Sequence, residues 1–160
     1  MQGLARGEWV TAAHAVMQRT NQVAGRLGGE VAAHASTDVT GFGLAGHLLS
    51  LLGNGLGVCL ERSTLPLLPG ARVLWRAGHR STAHPANREA FAARVRSAGH
   101  DDEAWLFDPQ TAGGLLLAVS EADVEKVRRA FADAGEPPVV PIGRFVATEP
   151  DRAGSIEILD

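Results

Sequence analysis

Apolar residues recur at steps of three and four through Trp9, Ala12, Val16, Val23 and Leu27, with Thr20 in the same row. This spacing predicts one amphipathic helix from about Glu8 to Leu27, closed by Gly28 and Gly29. The short apolar stretch "EVAAHAS" reads as a strand or as the end of that helix. After the polar turn at Thr37 and Asp38, Leu44, Leu48, Leu51 and Leu52 share one helical face, and "GNG" at 53–55 stops it. "GVCLE" then alternates as a strand does.

Farther on, "LPLLPGARVLWRAG" places Pro66 and Pro69 ahead of a short helix ending at Gly78, whereas "HRSTAHPANRE" lacks periodicity and reads as a loop. Asn87 is placed to cap a helix carrying Phe91, Val95 and Ala98, and "DDEAWLF" fits a short helical turn. "GLLLAV" is a buried strand bounded by turn signals. Ser120 with Asp123 resembles a capping box for a helix whose apolar face is Val124, Val127, Phe131 and Ala134 and which ends at Gly135. "PVVPIGRFV" and "SIEIL" supply two more strands, the first interrupted by Pro141 and so expected at an edge or bulge. Strands mixed with helices throughout predict an α/β domain with a mixed β-sheet covered by α-helices.

Composition narrows the picture. A chain of 160 residues with 45% hydrophobic content can bury a core without disulfide or metal staples. The net charge of −3, with arginines scattered rather than striped, points away from nucleic acid. Lys126 is the sole lysine, and it lies in a charged helical stretch, a poor place for phosphate chemistry. The lone Cys59 excludes an internal disulfide and a cysteine-based zinc site, and a buried structural thiol is expected there. No secretory leader or bilayer-length apolar run is apparent, so no membrane partner is expected and a cytoplasmic location is the default.

Two glycine-bearing turns interrupt apolar segments: "STDVTGFG" at 36–43 and "DPQTAGG" at 108–114. Asp38 precedes two glycines and a helix start, where backbone N–H groups and the helix dipole favour an anion. A phosphate beside this carboxylate would be repelled by about 1 to 4 kcal/mol at 4 Å, so such a ligand requires a bridging cation, and Mg²⁺ is commonly held by carboxylate and phosphate oxygens together. The simpler reading is that Asp38 caps the following helix. Asp108 has a plain reading too, an Asx turn ahead of Pro109. His47 falls at the margin of an apolar helical face and reads as a satisfied core or surface histidine rather than a ligand. His79 and His84 lack a partner at zinc-like spacing.

Taken together and in order, "STDVTGFGLAGH", "LPLLPGA", "NRE", "FDPQTAGGLLLAV" and "IGRF" resemble the C-terminal domain of the selenophosphate synthetases (selenide, water dikinases), within the aminoimidazole ribonucleotide synthetase superfamily. The resemblance implies a connecting helix over 1–30 from an N-terminal domain, and a C-terminal domain over 31–160. It implies a reaction in which ATP, selenide and water give selenophosphate, phosphate and AMP, in a homodimer using Mg²⁺. The N-terminal ATP-binding domain would be the partner of this domain and would hold most of the ATP. Here Asp38 is the implied metal ligand, and no catalytic residue is expected in this half, so the isolated chain should be inactive. Thr37, Thr40, Gly41 and Gly43 of the first motif, with Asp108, Gln110, Thr111, Gly113 and Gly114 of the second, are the candidate active-site loops. Ala112 stands where the family usually has Ser, and Ala45 where Leu is common. Another enzyme of the superfamily, or a non-catalytic binding or dimerisation module, are the rival readings.

Overall fold

A computed structural model describes residues 5–97, 105–149 and 152–159. The elements run α1 (Gly7–Met17), α2 (Gln22–Glu30), β1 (Ala35–Asp38), α3 (Gly43–Leu51), β2 (Leu56–Glu61), α4 (Ala71–Arg76), α5 (His84–Phe91), β3 (Val95–Ser97), β4 (Leu115–Ala118), α6 (Val124–Asp133), β5 (Gly143–Ala147) and β6 (Ile156–Leu159). Four strands form a mixed sheet in the order β3-β6-β2-β5, in which β6 runs parallel to β2 and β3 while β5 is antiparallel to β2. The mixed sheet with helices is the architecture the sequence predicts. β1 and β4 stand apart from it as an antiparallel ribbon.

Register explains the main core. Val58 lies opposite both Ile156 and Phe145, and Leu60 opposite Ile158, so alternate residues of neighbouring strands present one apolar face. Ala45, Leu48 and Leu49 of α3 cover that face together with Leu106 and Phe107. Leu60, Leu106 and Ile156 are fully enclosed, each contributing about 1.5–3 kcal/mol by transfer from water. A second core joins Ala24 and Leu27 of α2 and Val31 to Val127 and Phe131 of α6. Leu115 and Leu117 of β4 face this second core, whereas Leu116 packs on the first, as strand alternation requires. The ribbon is thus wedged between two cores.

Several elements differ from the sequence reading. The single helix over 8–27 is two helices, α1 and α2, separated at Gln18–Asn21, where Thr20 and Asn21 have side chains that favour non-helical backbone. Gly28 and Gly29 lie inside α2 rather than closing it, and Gly28 sits where a Cβ would meet Leu117 at 2.8 Å. Within "EVAAHAS" the strand begins only at Ala35. The supposed loop "HRSTAHPANRE" contains α5, with Pro85 in its first turn. His84 and Asn87 are its buried residues, so a polar-looking face concealed the period. Asn87 is inside that helix, not at its cap.

Val95, expected on a helix, opens β3, because pairing with Ile156 satisfies its backbone within the sheet. Ala98 and residues 101–104 of "DDEAWLF" lie outside the described residues, while 105–107 form the expected short turn. "PVVPIGRFV" is a strand only from Gly143, after its prolines, and it is an edge strand as expected. Ser120 bonds to the Asp123 side chain rather than capping the backbone, and a short 3₁₀ turn precedes α6. Cys59 is buried on β2, with its thiol free. Among the described residues, no helix is long and apolar enough to cross a membrane.

Candidate functional site

The two glycine turns, seventy residues apart in the chain, extend the two strands of the ribbon at the same end and are laced together by backbone hydrogen bonds. Asp38 closes β1 opposite Leu115. Beyond it, the Val39 N–H donates to the Gly114 carbonyl, the Gly113 N–H donates to the Val39 carbonyl, and the Gln110 N–H donates to the Thr40 carbonyl, each at 3.0 Å. The Gly43 N–H also donates to the Thr40 carbonyl at 3.0 Å, closing the first turn on itself.

This lacing shows what two of the glycines do. A Cβ on Gly113 would lie 2.2 Å from the Val39 carbonyl oxygen, closer than any real side chain approaches. Gly43 has φ of +68° and would place a Cβ 2.7 Å from the Leu106 carbonyl oxygen, so it is excluded from bearing a side chain on both counts. Gly41 and Gly114 meet nothing within 4 Å. Only one glycine of each motif is demanded by its surroundings.

Two asparagines pin the turns from outside. The Asn87 amide, buried on α5, donates to the Gly41 carbonyl at 2.8 Å and to the Phe107 carbonyl at 3.0 Å, tying the first turn to the segment leading into the second. Asn21, at the start of α2, donates to the Gly113 carbonyl at 3.1 Å. Sequence reasoning did not assign these roles, since nothing in local spacing distinguishes an asparagine that clamps distant carbonyls from one that caps a helix. His47, expected as a satisfied core or surface histidine, is half-buried on α3. Its ring nitrogens face the hydroxyls of Thr37 and Thr40 at 3.4 and 3.2 Å.

The two aspartates have opposite surroundings. Asp38 is exposed at the ribbon's end, and its carboxylate has no hydrogen-bond or ion-pair partner among the described residues. It does not cap α3: the cap position is Phe42, and no side chain makes the capping bond. Asp108 is half-buried. Its carboxyl is pushed up from the ordinary 3.8 by burial, against the opposing pull of His84, a hydrogen bond from the Ser81 backbone and Arg80. The Asx turn expected at Asp108 is absent, because the Gln110 N–H it would use donates to Thr40, while the Gln110 side-chain amide donates to the Asp108 carbonyl at 3.3 Å.

Asp108 is therefore anchored to the turn before α5. There the His84 ring stands edge-on to Trp75 and Phe107, with centroids 5.1 and 6.4 Å away. The Arg80 guanidinium lies 3.6 Å over Trp75. Thr111 is exposed on the second turn.

Among the described residues, no group of three or more His, Cys, Asp or Glu side chains converges as a metal cage would require. A lone exposed carboxylate on a pinned backbone fits a hard divalent cation that takes its other oxygens from phosphates, water or another domain. Asp38 is the residue that would hold it.

The chain is similar to known proteins over most of its length. Residues 8–154 match the family described as AIR synthase related protein, C-terminal domain. Among similar proteins is a selenide, water dikinase of Dechloromonas aromatica (strain RCB), 42% identical over 121 residues, covering 73% of this chain and 35% of that protein. One of Nitratidesulfovibrio vulgaris (strain DSM 19637 / Miyazaki F) is 37% identical over 145 residues, covering 88% of this chain and 40% of the relative. Another, of Bordetella bronchiseptica (strain ATCC BAA-588 / NCTC 13252 / RB50), is 36% identical over 146 residues, covering 91% and 42%. The chain thus spans less than half the length of these relatives. With its mixed sheet, covering helices and matched length, the chain belongs to the AIR synthase related protein, C-terminal domain family.

Proposed function

We propose that this domain is the C-terminal part of an ATP-dependent selenophosphate synthetase, which converts ATP, selenide and water to selenophosphate, phosphate and AMP. Its partner is an N-terminal ATP-binding domain of the same protein, which assembles as a homodimer. Asp38 supplies one carboxylate to Mg²⁺ at the boundary between the two domains. The observation that carries this reading is the contrast at the ribbon's end: the backbone beyond Asp38 is hydrogen-bonded to the second turn, yet its carboxylate is exposed and unpartnered among the described residues.

An exposed carboxylate with no intramolecular partner adds little to stability, so its placement on a rigid turn favours a ligand outside the domain. Bound Mg²⁺ neutralises phosphate oxygens during phosphoryl transfer. The residues of this domain hold position. Gly113 and Gly43 permit the close backbone approach, and Asn87 and Asn21 hold the carbonyls of the two turns. Thr111 and the accessible backbone at Gly114 face solvent beside them and complete a surface suited to phosphate oxygens. Alone, without the ATP-binding partner domain, the domain does not turn over ATP.

The test is Asp38→Asn in the intact enzyme containing this domain. Turnover at limiting Mg²⁺ is expected to fall by orders of magnitude, with partial recovery in excess Mg²⁺. Wild-type turnover by the variant at limiting Mg²⁺ would remove the proposed role, as would selenide-dependent AMP formation by the isolated domain for the division of labour.

A further inference from the structure

His47 lies outside every role assigned above. It sits in the second turn of α3, half-buried, with its ring 5.8 Å from that of Phe42. Its two nitrogens meet hydroxyls on either side of Asp38: Nδ1 is 3.4 Å from Thr37 Oγ1, and Nε2 is 3.2 Å from Thr40 Oγ1. The proton positions follow from the neighbours. The Thr37 hydroxyl donates to the Asp38 carbonyl at 3.1 Å, so toward the ring its oxygen can only accept. In this arrangement Nδ1–H donates to the Thr37 hydroxyl, and a neutral ring presents its Nε2 lone pair to the Thr40 hydroxyl.

From this geometry we infer that His47 is a positioning residue: as its neutral Nδ1–H tautomer it braces the hydroxyls of Thr37 and Thr40 and so sets the direction of the Asp38 carboxylate toward a divalent cation. The inference rests on the reading of Asp38 as a metal ligand. Backbone bonds to Gly114, Gly113 and Gln110 restrain Val39 and Thr40 from the β4 side only. On the opposite side the imidazole is the group that ties residue 37 to residue 40 across Asp38. Groups that touch no metal but fix the orientation of one that does commonly govern metal affinity. A packing role alone would be satisfied by any ring of this size against Phe42. The pairing of both nitrogens with hydroxyls distinguishes the brace.

The test uses the 160-residue chain labelled with ¹⁵N, and Mn²⁺ alone as the probe. Long-range ¹⁵N spectra near neutral pH should show His47 with a protonated Nδ1 and an unprotonated Nε2; the opposite tautomer would overturn the brace. Mn²⁺ should broaden the amides around Asp38 in the wild type and not in Asp38→Asn. His47→Phe keeps the ring but removes both nitrogens, and should weaken this local broadening by about tenfold in Mn²⁺ concentration while the remaining amide spectrum is preserved.

Thr40→Val, matched in shape, should shift it in the same direction and serves if the phenylalanine variant does not fold. Broadening that disappears in Asp38→Asn but matches wild type in His47→Phe and Thr40→Val would refute the inference and leave the metal-ligand reading standing. No local broadening in the wild type would refute both.

Discussion

The four-stranded sheet and the two-stranded ribbon are built from similar short strands, yet they are held by different forces. In the sheet, Val58, Leu60, Ile156 and Ile158 are buried beneath α3, and apolar contact carries the stability. At the polar end of the ribbon the hydrogen bonds are backbone to backbone, reinforced by two asparagine amides, and the side chains of Asp38 and Thr111 remain exposed. A hydrophobic sheet tolerates approximate fit, since apolar contact is non-directional. A backbone interlock depends on exact approach and direction, which is the property a site for an inorganic ligand needs.

The most damaging change should therefore fall in the ribbon and not in the core. Gly113→Val sets a branched side chain against the Val39 carbonyl, which lies 2.2 Å from a Cβ there, and should destabilise the domain by more than about 4 kcal/mol in chemical denaturation. Its neighbour provides the control, since Gly114→Ala meets open space and should stay within about 0.5 kcal/mol. Equal effects at the two positions would break the interlock. Leu60→Ala, at a residue with no exposed surface, should cost about 2–5 kcal/mol through lost transfer energy and a cavity.

Asn87→Leu matches size but deprives the Gly41 and Phe107 carbonyls of their donor, and should cost about 1–3 kcal/mol. Its signature should be local: hydrogen exchange should rise in residues 39–43 and 108–114 while the four-stranded sheet stays protected. Uniform loss of protection would place the amide in the core's cooperative unit instead.

A pH profile sharpens the comparison between the two aspartates. Burial raises the Asp108 carboxyl above its ordinary 3.8, so between that value and the raised one the folded state binds more protons than the unfolded. The stability contribution of Asp108 is then greatest in acid and declines as pH rises through this window. Denaturation of wild type and Asp108→Asn across the window should show the wild type losing ground to the variant as pH increases; a difference that grows the other way would mean that His84, Ser81 and Arg80 outweigh burial. The smallest effect is expected at Asp38→Asn. Its carboxylate has no partner to lose, so thermal unfolding of the domain should change by no more than about 0.5 kcal/mol.

Much of this protein is legible in the order of its residues. Helices α3 and α6, strands β2, β4 and β6, and the edge position of β5 follow from period, turn residues and proline, because each element carries its own pattern of burial. The two glycine motifs also announce themselves, and their resemblance to a family supplies an expected role for Asp38. The break at Gln18–Asn21, the start of α5 ahead of Asn87 and the strand at Val95 were not legible. Each is decided by partners far along the chain: Asn21 by Gly113, Asn87 by Gly41 and Phe107, Val95 by Ile156. Local propensity differs by only about a kcal/mol per residue between competing conformations, and one long-range backbone or amide bond is enough to reverse it.

Sequence alone thus determined the chemistry available at the two turns: an aspartate before paired glycines, and a Pro-Gln-Thr segment before another pair. Tertiary structure decided that the turns meet, which glycine in each is indispensable, and that Asp38 is exposed while Asp108 is drawn against the α4–α5 connection. The physical reason is that approach, burial and hydrogen-bond direction belong to pairs of segments. Neither segment contains that information until the chain has brought the other beside it.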